Sequence, residues 1–450
     1  MFKVRLFLLS LITFGLPLAG GSRVQAESVQ LIDDDVAALQ ARMDLIASAQ
    51  SSVDAAYYSV GNDPASHAVL LQLRAAARRG VRVRLVVDAY FNAIPRGMQR
   101  HLANEGVEIR EYHQPQLLNS DSVLCRLHDK IMVVDAEMLI LGGRNVSGAY
   151  FGHCGAKNYI DRDVIVAGRV AEDVSGYFHC LWNCRHVKPA HVQIPFPAVT
   201  LGDPWPSVRD ICTNPDHILS ASAARTLDQS NFRIPSGCTQ PARAEWPALE
   251  VSSQMLCFLH SGRPENQRQL EISDQIARLI TGAQHRVIIE TPYFVLWDRM
   301  ERVLNDVRKR GIPVCILTNS IDSTDNLIVN AELTNQKLRL HQMGVELFEY
   351  HGPGILHAKS MIIDDAAVIG SYNLNPRSDY YDTETALVIH SANLAEQLRQ
   401  SIALHLTQSR PAASHRTIFN HIFPPERAAP NKYLTIQLLR LVSPFIRRHL

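Results

Sequence analysis

Two stretches of this 450-residue sequence repeat one set of groups: Leu127-His128-Asp129-Lys130-Ile-Met-Val-Val-Asp135 and Leu356-His357-Ala358-Lys359-Ser-Met-Ile-Ile-Asp364. Both read His-x-Lys-x4-Asp. An imidazole beside an ammonium suits chemistry on an anion. The ammonium neutralises developing charge while the imidazole attacks or carries a proton. With 19 His and only eight Lys in the chain, about 0.02 chance matches are expected, so two are beyond accident.

The spacing also says what must hold these groups. The residues after each His are apolar and largely β-branched, which predicts a buried strand. Side chains two apart on a strand share a face, so His128 projects with Lys130 and His357 with Lys359. Asp135 and Asp364 complete the motif and are grouped with the catalytic set, but they fall on the other parity and read as structural. A matched segment follows each motif: Leu141-Gly-Gly-Arg-Asn145 and Ile369-Gly-Ser-Tyr-Asn373. Glycine there lets the backbone approach a ligand, and Asn145, Ser371 and Asn373 offer neutral hydrogen bonds to phosphate oxygens. Each segment leads to a carboxylate, Asp161 and Glu384, placed to orient the catalytic imidazoles.

The repeat extends beyond the motifs. Gly80-Val-Arg-Val-Arg-Leu-Val-Val-Asp88 is echoed by Gly311-Ile-Pro-Val-Cys-Ile-Leu-Thr-Asn319, and Gly106-Val-Glu-Ile-Arg-Glu-Tyr112 by Gly344-Val-Glu-Leu-Phe-Glu-Tyr350. Amphipathic helices around Ala68–Arg79 and Arg299–Arg310 precede the first pair. Alternation of apolar runs with helices indicates an α/β unit, here duplicated. The expected domains are 27–185 and 256–408, joined by a connector at 186–255. Residues 186–250 hold nine of the 23 prolines, and a stretch that long is either functional or a cover over the site. The tail at 409–450 ends in an amphipathic segment with Leu434, Leu438, Leu441 and Phe445 beside Lys432, Arg440, Arg447 and Arg448. It suits either an anionic membrane surface or docking on the body.

Composition bounds the function. A hydrophobic fraction of 46% excludes a disordered chain, and 45 Lys+Arg against 44 Asp+Glu argues against a duplex-DNA wrapper. Residues 1–26 show a positive start, an apolar run from Leu6 to Ala19 and a Val24-Gln25-Ala26 cleavage pattern, the marks of an export signal. The eight cysteines permit disulfides without fixing connectivity. Cys180-x3-Cys184 lacks a second pair, so zinc is not expected, and Cys315 reads as a buried thiol.

The doubled motif resembles the phospholipase D superfamily. Gly142-Gly-Arg-Asn-Val-Ser-Gly-Ala-Tyr-Phe151, Asp161-Arg-Asp-Val164, Leu317-Thr-Asn-Ser-Ile-Asp-Ser-Thr-Asp325 and Gly370-Ser-Tyr-Asn-Leu-Asn-Pro-Arg-Ser378 are similar to its bacterial cardiolipin synthase branch. The resemblance implies two mixed sheets flanked by helices, packed about a pseudo-twofold axis with both motifs in one cleft. It implies a phosphohistidine route without metal or cofactor, with His128 as nucleophile and His357 as acid. Lys130, Lys359, Asn145 and Asn373 would hold the phosphoryl oxygens. Transfer or hydrolysis on anionic phospholipid at an envelope membrane is the expected activity. The alternative is an exported nuclease, for which Arg74, Arg78, Arg79, Arg82 and Arg84 would form a phosphate track.

Overall fold

The structure, a computed structural model, describes residues 26–114, 124–153, 158–190, 247–261, 271–412 and 430–450. The expected export signal, apart from Ala26, lies outside the described residues, as does most of the connector.

The first half supplies β1 (Ala26–Ile32), β2 (Ser52–Tyr57), β3 (Arg82–Asp88), β4 (Val107–Tyr112), β5 (Lys130–Val134), β6 (Met138–Gly142), β7 (Tyr159–Ile160), β8 (Asp163–Ala167) and β9 (Val187–Pro189). After the connector come β10 (Leu249–Ser252), β11 (Leu256–His260), β12 (Val287–Glu290), β13 (Val314–Asn319) and β14 (Glu346–Tyr350). The chain continues through β15 (Ile355–Leu356), β16 (Ser360–Ile363), β17 (Ala366–Gly370), β18 (Thr385–His390) and β19 (Ser409–Pro411). One nine-stranded sheet runs β10-β1-β8-β6-β5-β2-β3-β4-β9, and one eight-stranded sheet runs β11-β18-β17-β16-β12-β13-β14-β19. Without β10 the two orders correspond strand for strand, which is the duplication seen in the sequence.

Each sheet is mixed. β2-β3-β4 and β12-β13-β14 are parallel, and the other neighbours are antiparallel. Helices α1 (Asp35–Ser48), α2 (Pro64–Arg78) and α3 (Arg96–Asn104) flank the first sheet. A fourth, α4 (Val170–Asn183), closes that half. The second half has α5 (Glu271–Gly282), α6 (Asp298–Lys309), α7 (Leu327–Gln342), α8 (Pro376–Tyr380) and α9 (Ala392–Leu406), and α10 (Pro430–Val442) lies in the tail. Local sequence explains the crossovers. Asp63 caps α2 through the Ser66 N–H, Pro64 fits its first turn, and Gly80 (φ +92°) ends it. Asn326 caps α7 in the same way through Val329, and Gly344 (φ +75°) ends that helix.

The layers follow from the apolar faces. α1–α3 pack on the outer face of the first sheet and α5–α7 on the outer face of the second. Between the sheets, α4 and α9 share one continuous core whose members include Val166, Phe178, Leu387 and Leu398. The halves therefore form one body around a common interior.

Two expected boundaries shift. β9 and β10, at the two ends of the assumed connector, both belong to the first sheet, and β19 in the assumed tail pairs with β14. Strands of three or four residues carry no readable periodicity, which is why the sequence pattern passes over them. Among the described cysteines, Cys180, Cys257 and Cys315 are free thiols. Cys315 is half-buried, and desolvation pushes its thiol up to about 12.

Candidate active site

The motifs stand at the heads of β5 and β16. Neither histidine lies within the strand: His128 sits two residues before β5 and His357 three before β16, and the opposite half holds each there. The His128 N–H donates to the Thr383 carbonyl at 3.2 Å and to its hydroxyl at 3.1 Å, while the Thr383 N–H donates back to the Arg126 carbonyl at 2.9 Å. The N–H groups of His357 and Ala358 both donate to the Ile160 carbonyl, at 2.8 and 3.0 Å, where β7 and β15 pair in parallel. The catalytic candidates are thus placed by backbone bonds across the domain boundary.

The orienting carboxylates cross over as well. Glu384, from the second half, meets His128 Nδ1 at 2.9 and 3.0 Å, and Asp161, from the first half, meets His357 Nδ1 at 2.6 Å. With Nδ1 so occupied, Nε2 is the ring nitrogen left for a reacting group at His128, and at His357 it faces Lys359 Nζ at 3.2 Å. Neither half carries a complete imidazole–carboxylate pair, so the site exists only when both are docked.

The lysines complete a dense charge cluster. Lys130 and Lys359 are buried, and Nζ of each donates to the carbonyl of the histidine two residues before it, at 2.6 Å for Lys130. Lys359 Nζ also lies 2.8 Å from His357 Nδ1. Desolvation lowers Lys130 to about 8 and Lys359 to about 7, partly offset by Asp161 and Glu384. His128 is driven well below the ordinary imidazole range by burial and by both lysines, and His357 falls to about 4 by burial and Lys359, with Asp161 opposing. Both rings are therefore neutral bases at neutral pH when no anion is bound. The carboxylates differ: burial raises Glu384 well above its usual value, whereas at Asp161 Lys359 and His357 outweigh burial and keep it low.

Several sequence expectations are corrected. Asp135 and Asp364 do not join the cluster. Each sits seven residues beyond its histidine, about 23 Å along an extended strand, in a left-handed turn with φ +55° and +53°. Asp135 accepts the N–H groups of Gln50, Ser51 and Ser52, and Asp364 those of Gln284, His285 and Arg286. They tie the strand ends to the incoming loops. Ser371 is not aimed at substrate either: its hydroxyl donates to Glu384 and accepts the Thr385 N–H. Asn145 uses its amide on both sides, accepting from the Ser59 N–H and donating to the Tyr150 hydroxyl, whereas Asn373 keeps a buried side-chain oxygen without a partner. The glycines admit other chain segments rather than a ligand. A side chain at Gly143 would collide with the Asp161 carboxylate, and one at Gly370 with the Thr385 carbonyl. The arginines of the expected track are engaged within the fold: Arg74 lies against buried His101 and Arg82 approaches Asp54 at 3.9 Å. Arg84 chelates Asp54, Arg78 pairs with Glu105, and Arg79 caps carbonyls at the end of α1.

Other groups at the site had no motif to announce them. Tyr150, Tyr159 and Tyr293 surround the His357 ring at centroid distances of 5.3, 4.9 and 5.9 Å. Asp325 accepts hydrogen bonds from the Tyr159 and Tyr293 hydroxyls. On the His128 side, Tyr58 stands edge-on at 5.2 Å, Ser378 donates to Glu384, and Asp129 accepts from Tyr177 and Thr383. Between the halves, Arg162 bonds Asp33 of its own half and Glu290 and Ser360 of the other. Tyr150, Asp325 and Ser378 fall inside the extended segments that resemble the cardiolipin synthase branch, but no spacing marked them as site residues.

Two α/β copies that exchange catalytic carboxylates around paired His and Lys define an enzyme of the phospholipase D superfamily. The family described as cardiolipin synthase, PLD-like domain, matches this chain twice, at residues 43–182 and 276–405, and the chain belongs to it. An uncharacterized protein of Helicobacter pylori is 24% identical over 87% of this chain and 81% of its own length. Cardiolipin synthase C of Escherichia coli is 28% identical over 81% of this chain and 82% of its own. The crystal structure of Haemophilus influenzae phosphatidylserine synthase superposes with a TM-score of 0.66 at 16% identity, covering 94% of this chain and 95% of that one, a likeness of fold. These comparisons do not favour the nuclease alternative.

Proposed function

We propose that this phosphatidyltransferase-family enzyme transfers a phosphatidyl group between alcohols through a covalent phosphohistidine. The observation that carries the reading is the crossed pairing His128–Glu384 and His357–Asp161 with a lysine beside each ring. His128 Nε2 attacks phosphorus, and the P–O bond to the leaving alcohol breaks. His357 gives that oxygen its proton, which the ionised Asp161 and the incoming anion help it to hold. An acceptor alcohol, or water, then yields its proton to His357 and displaces His128, breaking the P–N bond. Lys130 and Lys359 neutralise the phosphoryl oxygens throughout. The proposed donor is an anionic or zwitterionic phospholipid, with no metal or cofactor in any step.

The test incubates the protein with phosphatidylglycerol and phosphatidylethanolamine vesicles plus a labelled single-stranded oligonucleotide, in excess chelator, with products read by mass spectrometry. Cardiolipin or phosphatidic acid is expected from the intact protein and not from a His128→Ala, His357→Ala double variant. Cleaved oligonucleotide with untouched lipid would overturn the reading. Export is proposed with it, from the leader pattern, and cell fractionation is expected to find the protein in the envelope rather than the cytosol.

A further inference from the structure

We infer that the outer face of α10, with the segment after it, is a membrane-docking surface that seats the cleft mouth on a phospholipid bilayer. The inference rests on the phospholipid reading above and adds where the lipid surface is met. Leu434, Leu438 and Leu441 are 61, 59 and 71% exposed and Phe445 is 87% exposed, in a protein that buries most of its large apolar side chains. A contiguous exposed apolar patch marks an interaction site.

This face is held rigidly. The opposite side of α10 packs Ile436 against Ile321 and Ala331. Asn335 bonds the Arg440 carbonyl, Glu332 receives both Ser443 and Arg447, and Leu450 is buried with Val295 and Val329. The apolar residues are thus presented outward by a docked helix.

Its position points to lipid. Lys432 donates to the carbonyls of Asp322 and Thr324, in the loop whose Asp325 receives the tyrosine hydroxyls beside His357. Further on, His449 stacks on Tyr381 and Arg448 lies over Tyr380, at the end of α8, whose Ser378 bonds Glu384. The segment therefore touches loops belonging to both catalytic pairs. On the first half, exposed Phe91 stacks on Tyr58, which in turn meets His128. Charge agrees: residues 430–450 carry Lys432, Arg440, Arg447 and Arg448 and no acidic side chain. An exposed apolar face on a segment with four cations and no acidic side chain suits the boundary between anionic headgroups and acyl chains.

The experiment uses the full chain carrying His128→Ala, so that binding is read without turnover. It compares this protein with a version that also carries Leu434→Ser, Leu438→Ser, Leu441→Ser and Phe445→Ser. Sedimentation with vesicles of phosphatidylglycerol and phosphatidylethanolamine in equal parts is expected to drop at least about tenfold for the face variant. A control with Met255→Ser and Leu404→Ser, exposed elsewhere, is expected to bind as before. With His128 restored, the face variant is expected to keep its rate on short-chain lipid dispersed in detergent, which also establishes that it folds. Equal vesicle binding by the face variant would overturn the inference. So would a concentration-dependent dimer that the substitutions dissolve without any vesicle binding, which would assign the face to a second copy. Vesicle binding lost with the face, but with no lipid turned over by the intact protein, would uphold the docking surface and remove the phosphatidyl-transfer reading.

Discussion

His128 and His357 stand at equivalent points of two copies of one fold, yet they keep their protons under different rules. Glu384 reaches His128 with a long carboxylate braced by the hydroxyls of Ser371 and Ser378, in a setting where burial favours its neutral form. Asp161 is one carbon shorter and occupies the space that a side chain at Gly143 would need, next to Lys359, which keeps it ionised. The Gly143/Ser371 difference between the repeats is therefore matched to the carboxylate each must accommodate. An ionised partner favours a proton on His357, and a neutral one leaves His128 as a free base. On the proposed roles, one glycine and one methylene would separate nucleophile from acid on a duplicated scaffold.

The largest effects should come from the rings themselves. His128→Ala is expected to lower kcat about 10⁴-fold on natural lipids and p-nitrophenyl esters alike. His357→Ala is expected to cost about 10²–10⁴-fold on natural lipids but only about tenfold on the p-nitrophenyl ester, whose leaving group needs no proton. Equal losses on both substrates would erase the distinction between the sites. Next comes Asp161→Asn, expected to cost about 10²-fold and to move the pH profile. The basic limb of kcat/KM should begin where Lys359 loses its proton, at about 7. Asp161 is the group that raises Lys359 most and it also raises His357, so its removal shifts that limb to lower pH, while Glu384, which raises Lys359 less, should move it less when replaced in Glu384→Gln. Gly143→Ser should displace Asp161 and imitate this shift, whereas Ser371→Gly should cost about tenfold in kcat through one lost hydrogen bond to a carboxyl.

The smallest effect on activity belongs to Asp135→Ala and Asp364→Ala. Per folded molecule, kcat should stay within about twofold, while stability falls by about 1–3 kcal/mol for each lost set of backbone bonds. Burial is the largest single influence and raises both carboxyls, but the backbone N–H groups together outweigh it and hold both below their ordinary value. Their stabilisation is thus present above the unfolded carboxyl range near pH 4 and is lost as pH falls through the folded values, a difference that acid titration of wild type and variant would resolve.

How much of this was legible beforehand divides along physical lines. The repeated strand segments, the helices around residues 68–79 and 299–310, and the pairing of His with Lys are encoded locally, in periodicity and spacing. Asp161 and Glu384 could be picked out as orienting groups because each closes a repeated segment. That each serves the histidine of the other repeat depends on how the halves dock, which no local pattern records. Tyr159, Tyr293 and Asp325 converge from three separate elements for the same reason. The spacing around Ser371 and Asn145 does not reveal their partners, because a polar side chain near a phosphate site can equally bond a neighbouring protein group, and only the packed structure decides which. β10 escaped notice because four residues crossing back to the first sheet look like the end of a connector.

The proposed chemistry is covalent at His128, with His357 as its acid. It is tested most directly by rapid acid-free quenching of the protein with a slow phosphatidyl substrate labelled in the phosphate, followed by peptide mapping under alkaline conditions that preserve a P–N bond. Label is expected on the peptide containing His128, accumulating further in His357→Ala with the p-nitrophenyl ester. Label on His357, or turnover with no labelled histidine at all, would contradict it.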